Sequence, residues 1–318
     1  MQKNDPHPTR IVVVGVGNVG ATLAYTLLLS GQAAEIVLID ANQAKAEGEV
    51  MDLNHAIPLT RPARIWHGEY SDCVGAAVIV ITAGTAQKPG ETRLDLLQRN
   101  ARIFKEIIAN VVRYTRDSII LVATNPVDVL SYATWKLSGY PVNRVIGSGT
   151  ILDTARFRYL LSQYYEVDAR SVHAYIIGEH GDSEVPVWSS ANIAGMRLAD
   201  YCAANGFGCD QSKLDEIFIK TRDAAYKIIE RKGATYYAVA AGLNRIIEAI
   251  LRDQSTVLSV SSLAQDYYGI GDVFLSIPTV ISGAGVERQI RLQLSSQELE
   301  GLQHSANVLK TTIQQLDF

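Results

Sequence analysis

No stretch of this 318-residue chain is apolar over the ~18 residues that a membrane-spanning helix needs. The longest apolar runs, residues 11–14 and 75–83, fall far short of it. Residues 1–10 are polar, contain Pro6 and Pro8, and lack the apolar core of a signal peptide. Cysteine is scarce: Cys73, Cys202 and Cys209 make an odd count with no Cys-x-x-Cys pair. That pattern argues against a disulfide framework or a structural zinc site and predicts reduced thiols in a cytoplasmic protein. Charge of one sign is also missing. The net charge is −4 and no block of like charges forms a tail, so neither nucleic acid nor a membrane surface is an expected partner. Charged residues make up only 19% against 47% hydrophobic, which excludes global disorder and leaves ample material for a core.

What is present is a regular alternation. Short apolar runs at 11–14, 36–39, 78–81 and 119–122 read as strands, and longer amphipathic segments at 19–29, 44–55 and 92–114 read as helices. Strands that are apolar throughout, set between helices, indicate a parallel sheet covered on both faces, the doubly wound α/β architecture. After about residue 148 the rhythm changes. A helix at 151–164 leads to an alternating stretch at 171–177, helices near 214–231 and 235–251, strand-like runs at 257–264 and 273–281, and a final helix at 297–316. The expected organisation is an N-terminal Rossmann domain over 1–148 and a mixed α+β substrate domain over 149–318, closely packed.

Gly15-Val16-Gly17-Asn18-Val19-Gly20 stands where the first strand gives way to the first helix. Gly15 permits a tight turn, Gly17 lets backbone approach a pyrophosphate, and Gly20 lets helix pack close to strand. The free amides of the helix N-terminus then face the phosphates. Asp40 ends the next strand, twenty residues past Gly20, where a carboxylate would accept hydrogen bonds from ribose hydroxyls and repel a 2′-phosphate. The expected cofactor is NAD rather than NADP.

Three further segments carry chemistry. His180 lies between glycines in Gly178-Glu179-His180-Gly181-Asp182, just past the alternating stretch. Asp153 and Arg156 are three apart, so on a helix they share a face. They form either an intrahelical ion pair or a divided set, in which Asp153 orients an imidazole and Arg156 forks onto a substrate carboxylate. The segment 84–93 leaves a strand end with glycine at Gly84 and Gly90 and reads as a lid, with Arg93 near its far end.

These segments, together with Asn125-Pro126-Val127-Asp128, resemble the L-lactate/malate dehydrogenase family in order and spacing over nearly the whole chain, and within it the bacterial lactate branch. The resemblance implies that His180 is the proton donor in pyruvate reduction and the base in lactate oxidation, with Asp153 holding its ring. It implies that Arg156 binds the substrate carboxylate, that Arg93 polarises the ketone, that Asn125 contacts substrate and cofactor ribose, and that Thr235 lines the substrate pocket. Val19, Lys45, Tyr70, Gly84 and Ser148 match positions the family uses around the dinucleotide.

Gln87 separates the nearest alternative, a malate dehydrogenase on the same frame. Malate enzymes of the family carry Arg there to meet a second carboxylate, whereas a neutral Gln suits pyruvate without burying an unpaired charge. A non-catalytic NAD-sensing protein would need the glycine fingerprint and Asp40 but not His180, Asp153, Arg93 and Arg156 together. The resemblance also implies a homotetramer. It further implies a fructose 1,6-bisphosphate activator held by Arg158 and His173, which a two-fold axis would double into a four-cation cluster.

Overall fold

Strand β1 (Arg10–Val14) alternates its side chains between two apolar environments. Ile11 and Val13 join one core cluster with Leu23 and Leu27 of helix α1 (Asn18–Ser30); Val12 and Val14 join a second with Phe104, Ile108 and Val111 of α3 (Arg93–Tyr114). This is the physical content of a strand that is apolar at every position: both faces of the sheet are covered. The structure is a computed structural model that describes residues 9–85, 90 and 92–316, with Arg93 described by its backbone alone.

The remaining elements of the first half are β2 (Glu35–Ile39), α2 (Gln43–Ala56), β3 (Arg64–His67), β4 (Val78–Ile81), β5 (Ile119–Val122), α4 (Val127–Ser138) and β6 (Val145–Gly147). The second half follows with α5 (Ile151–Tyr165), short strands β7 (Val172–His173), β8 (Ile176–Ile177), β9 (Val185–Pro186), β10 (Asn192–Ile193) and β11 (Met196–Arg197), and helices α6 (Leu198–Asn205), α7 (Gln211–Arg222), α8 (Ala224–Lys232) and α9 (Tyr237–Leu251). It closes with β12 (Thr256–Leu263), β13 (Phe274–Ser282), β14 (Gly285–Gln289) and α10 (Ser296–Ile313).

The main sheet has the order β14-β13-β12-β6-β5-β4-β1-β2-β3. Strands β1 to β6 pair in parallel, as the alternation of strands and helices predicts. Strands β12 to β14 extend the same sheet as an antiparallel meander, β12 joining β6 at Ser261 and Gly147. The two halves therefore share one sheet. They also share a core, since Leu243, Ile246 and Ile247 of α9 pack with the α1 cluster.

Three expectations need correction. The alternating stretch 171–177 is not one strand: β7 pairs with β10, while β8 pairs with β9 in a separate sheet. The helical segment 214–231 is two helices broken at Asp223. Leu214, Ile217 and Thr221 of α7 are buried whereas α8 has no buried residue, so the break lets the chain leave the core. Cys202 and Cys209 are not free thiols but a disulfide. Helix α6 ends at Gly206 in the left-handed region (φ 73°), and the returning chain brings the two Cα atoms to 5.9 Å. Cys73 is free and buried.

Among the described residues, no helix is long and apolar enough to cross a membrane.

Candidate active site

The ends of the parallel strands define the cofactor side. Gly15 follows β1, Asp40 follows β2 and Gly84 follows β4, and all three line a cleft of about 560 Å³ with Gly17, Lys45 and Tyr70. Each glycine of the fingerprint has its own constraint. Gly15 sits at φ 99°, and a Cβ there would strike Ala83. At Gly20 a Cβ would collide with the Gly15 carbonyl oxygen. At Gly17 a Cβ would meet nothing within 4 Å, so this amide edge is open to the cleft. Helix α1 begins at Asn18 with Gly17 as its cap and no side-chain capping bond, leaving its first amides for an anion. These features fit a dinucleotide pyrophosphate.

Asp40 is already engaged. Its Oδ2 accepts a hydrogen bond from Val16 N at 2.6 Å and its Oδ1 one from Asn42 N at 2.8 Å. The carboxylate thus braces the fingerprint turn as well as facing the cleft. Of the other expected cofactor residues, Val19 and Ser148 are part-buried and Asn125 is exposed, and none lines this cleft.

Asp153 and His180 meet although 27 residues separate them. Asp153 lies in the first turn of α5, where the helix dipole favours a negative charge. Its Oδ2 lies 2.5 Å from His180 Nδ1, and its Oδ1 accepts a hydrogen bond from Arg156 Nη1 at 2.9 Å. The intrahelical ion pair is therefore formed and Asp153 also meets an imidazole, one carboxylate oxygen facing each partner. Burial works against ionisation of Asp153, but His180 and Arg156 outweigh it and hold the carboxyl below its usual range. For His180, burial disfavours the charged ring, while Asp153, with Asp128 and Glu184 behind it, raises the pKa to about 9. Side-chain exposure of 23% at His180 and 12% at Arg156 leaves both within reach of a small ligand.

The loop that carries His180 is tied at successive residues. Gly178 exchanges two backbone hydrogen bonds with Ser276 of β13, at 2.9 and 2.8 Å. Glu179 N donates to Ser305 Oγ of α10 at 2.6 Å, and His180 N donates to Asp128 Oδ2 of α4 at 2.8 Å. Thr150, which caps α5, and Thr154 within it reach Ile176 on the strand that leads into the loop. Asp153 and His180 are thereby set on one rigid frame.

Thr235 is part-buried just before α9. Arg93 is the first residue of α3, whose start is fixed by a capping box between Thr92 and Asp95. Gln87 lies outside the described residues. Three residues went unrecognised in the sequence. Asn100, 1% exposed, accepts from Thr85 N at 3.0 Å and donates to Asn125 O at 3.1 Å, joining the strand end that bears Gly84 to the one that bears Asn125. Glu184 is buried beside the cluster; burial and Asp153 push its pKa up to about 8 against the pull of His180, Arg156 and Arg222. Asp128 is the third. No local spacing signals any of them, since each acts through contacts distant in sequence.

Comparison with known proteins agrees with this arrangement. Residues 9–147 match the model of the lactate/malate dehydrogenase NAD-binding domain, and residues 150–317 match that of the lactate/malate dehydrogenase alpha/beta C-terminal domain. The chain is 54% identical to an L-lactate dehydrogenase of Acetivibrio thermocellus over 97% of each chain. It is 56% identical to a probable L-lactate dehydrogenase of Schizosaccharomyces pombe, covering 96% of this chain and 93% of that protein. Among solved structures, a lactate dehydrogenase from a Medee basin deep-sea metagenome library superposes with a TM-score of 0.94 at 45% identity, covering 98% of this chain and 99% of that one. A glycine fingerprint at the end of β1, an acid at the end of β2 and an Asp–His pair thus coincide with full-length similarity, and the chain belongs to the lactate/malate dehydrogenase family.

Proposed function

We infer that this protein is an NAD-dependent L-lactate dehydrogenase, interconverting pyruvate and L-lactate. The observation that carries the reading is the carboxylate of Asp153 shared between His180 and Arg156. It brings side by side the imidazole that would donate the proton and the guanidinium that would bind the substrate carboxylate. The relatives that match over almost the whole chain are named as L-lactate dehydrogenases, which favours this reading over a malate dehydrogenase or a non-catalytic NAD-binding protein.

The residues divide the work as follows. Bound NADH supplies the hydride. Arg156 receives the substrate carboxylate, and the fork geometry of its guanidinium fixes the plane of the keto acid. His180, protonated on Nε2, donates to the ketone oxygen, and Asp153 holds Nδ1 so that the ring keeps its orientation and its charge. Arg93 stabilises the negative charge that builds on that oxygen, an interaction stronger in the transition state than in the ground state. Asn125 and Thr235 position the substrate, and Gln87 leaves the methyl side without a cation. Lactate oxidation runs the same steps backward, with neutral His180 taking the hydroxyl proton.

Finer features belong to the same proposal. The enzyme works in the cytoplasm as a homotetramer; exposed Tyr25, Leu29, Met51 and Leu59 on α1, α2 and the turn after it supply apolar surface for subunit contact. Fructose 1,6-bisphosphate binds at a subunit boundary through Arg158 and His173. In support, Arg158 is part-buried on α5 beside Tyr175, and His173, two residues before Tyr175, is exposed. The domain boundary falls at 148/149, between β6 and α5. The direct test is spectrophotometric: NADH oxidation with pyruvate against oxaloacetate. Rapid oxidation with pyruvate and little with oxaloacetate is expected; the reverse preference would make the enzyme a malate dehydrogenase.

A further inference from the structure

Asp128 touches none of the reacting groups in the proposed reaction, yet it is among the most buried charged side chains of the molecule, at 1% exposure. It lies in the first turn of α4, directly after Asn125 and Pro126, where the helix dipole stabilises a carboxylate. Its Oδ2 accepts the hydrogen bond from His180 N at 2.8 Å across 52 residues of sequence. Its Oδ1 is buried against Ser261 of β12, a hydroxyl that lowers its pKa, and neither atom makes a well-formed hydrogen bond among the described residues. A buried acid with a spare oxygen is costly to keep. The other two ties on this loop, to Ser276 and Ser305, are made by neutral groups. A neutral side chain could serve the His180 amide equally well.

We propose that Asp128 is a second positioning residue for His180, gripping its backbone as Asp153 grips its ring and adding a fixed negative charge behind the imidazole. This rests on His180 being the proton donor. Asp128 couples α4, which begins two residues after Asn125, to the loop of His180, so that the two groups keep one spacing. Its charge also favours the imidazolium that pyruvate reduction needs. The titratable and charged groups around His180 are Asp153 and Arg156 from α5, Glu179 and Glu184 from its own loop, and Asp128 from α4, with Arg222 at the end of α7 facing Glu184. Burial raises the Asp128 pKa to about 6, so its charge is present at neutral pH and fades below that.

The test compares Asp128→Asn, which keeps an acceptor but no charge, with Asp128→Ala, which keeps neither. His180→Asn serves as the reference for activity and for assigning the His180 resonance. The imidazole is titrated by NMR in the protein without cofactor, and pH profiles of kcat and KM are measured in both directions. In Asp128→Asn the apparent pKa of His180 should fall by about one unit. The alkaline limb of pyruvate reduction should move down with it, while the KM for NADH stays unchanged. Asp128→Ala should show the same shift and a further loss of about 10- to 100-fold in kcat from misplacement of the ring. A His180 titration and pH profile identical to the parent in Asp128→Asn, with only a lower thermal midpoint, would reduce Asp128 to a structural role and overturn the proposal. Near-full turnover in His180→Asn would instead remove His180 as the proton donor, and the proposal would fall with that reading.

Discussion

His180 Nδ1 and Asp153 Oδ2 stand 2.5 Å apart, and the opposite oxygen of the same carboxylate holds Arg156. The residues proposed as proton donor and as substrate anchor are therefore coupled through one side chain. A change at either end alters the charge that Asp153 offers to the other.

The first consequence is a pH dependence. The His180 pKa is raised to about 9, and pyruvate reduction needs the protonated ring. In the enzyme without substrate, kcat/KM for reduction should hold through neutral pH and fall as pH rises through about 9. Lactate oxidation needs the neutral ring and should rise over the same interval. His180→Asn should lose about 10²- to 10⁴-fold in turnover while still binding NADH, as followed by fluorescence. Near-normal turnover across the neutral range would rule out His180 as the acid.

Arg156→Lys exchanges a two-pronged fork for a point charge. The KM for pyruvate should rise about 10- to 100-fold, the cost of a lost hydrogen bond between charged groups. A smaller drop in kcat should accompany it because the partner of Asp153 changes too. An unchanged KM would mean that the substrate carboxylate sits elsewhere.

Gln87→Arg should move preference from pyruvate toward oxaloacetate by supplying a partner for the second carboxylate. The ratio of kcat/KM for the two keto acids is the measurement, and a ratio equal to the parent's would show that another residue discriminates.

Asp40→Ser should relax the preference for NADH over NADPH. Because Asp40 also accepts the Val16 amide, the variant should bind NADH more weakly as well, through a looser fingerprint turn. A cofactor preference that does not change would place the ribose contact outside Asp40.

Pyruvate saturation with and without fructose 1,6-bisphosphate tests the proposed effector site. Activation is expected at low enzyme concentration and mildly acid pH, should weaken with salt, and should vanish in the Arg158→Gln, His173→Gln double variant. Identical curves for the parent, or full activation of the double variant, would end the idea.

Much of the molecule is written in short-range pattern. The apolar runs at 11–14, 36–39, 78–81 and 119–122 are strands because both faces of a parallel sheet are buried. Gly15, Gly17 and Gly20 could be given separate tasks because each answers a local constraint of turn, approach or packing. Residues that work through a partner were legible only as candidates. The Asp153–Arg156 spacing allowed an ion pair or a catalytic division, and no spacing could say that Asp153 meets Arg156 and His180 together, because His180 arrives from another element. Asn100 and Glu184 gave no signal and Asp128 only its place in the 125–128 segment, since a buried polar group reveals its role only through contacts made across long sequence separations. The Cys202–Cys209 pairing likewise depends on the turn after α6, and the junction of β12 with β6 on which strand edges remain open once the parallel sheet has formed. Periodicity and residue chemistry are local properties of the chain, whereas convergence, burial and the charge that burial sustains exist only in the folded molecule.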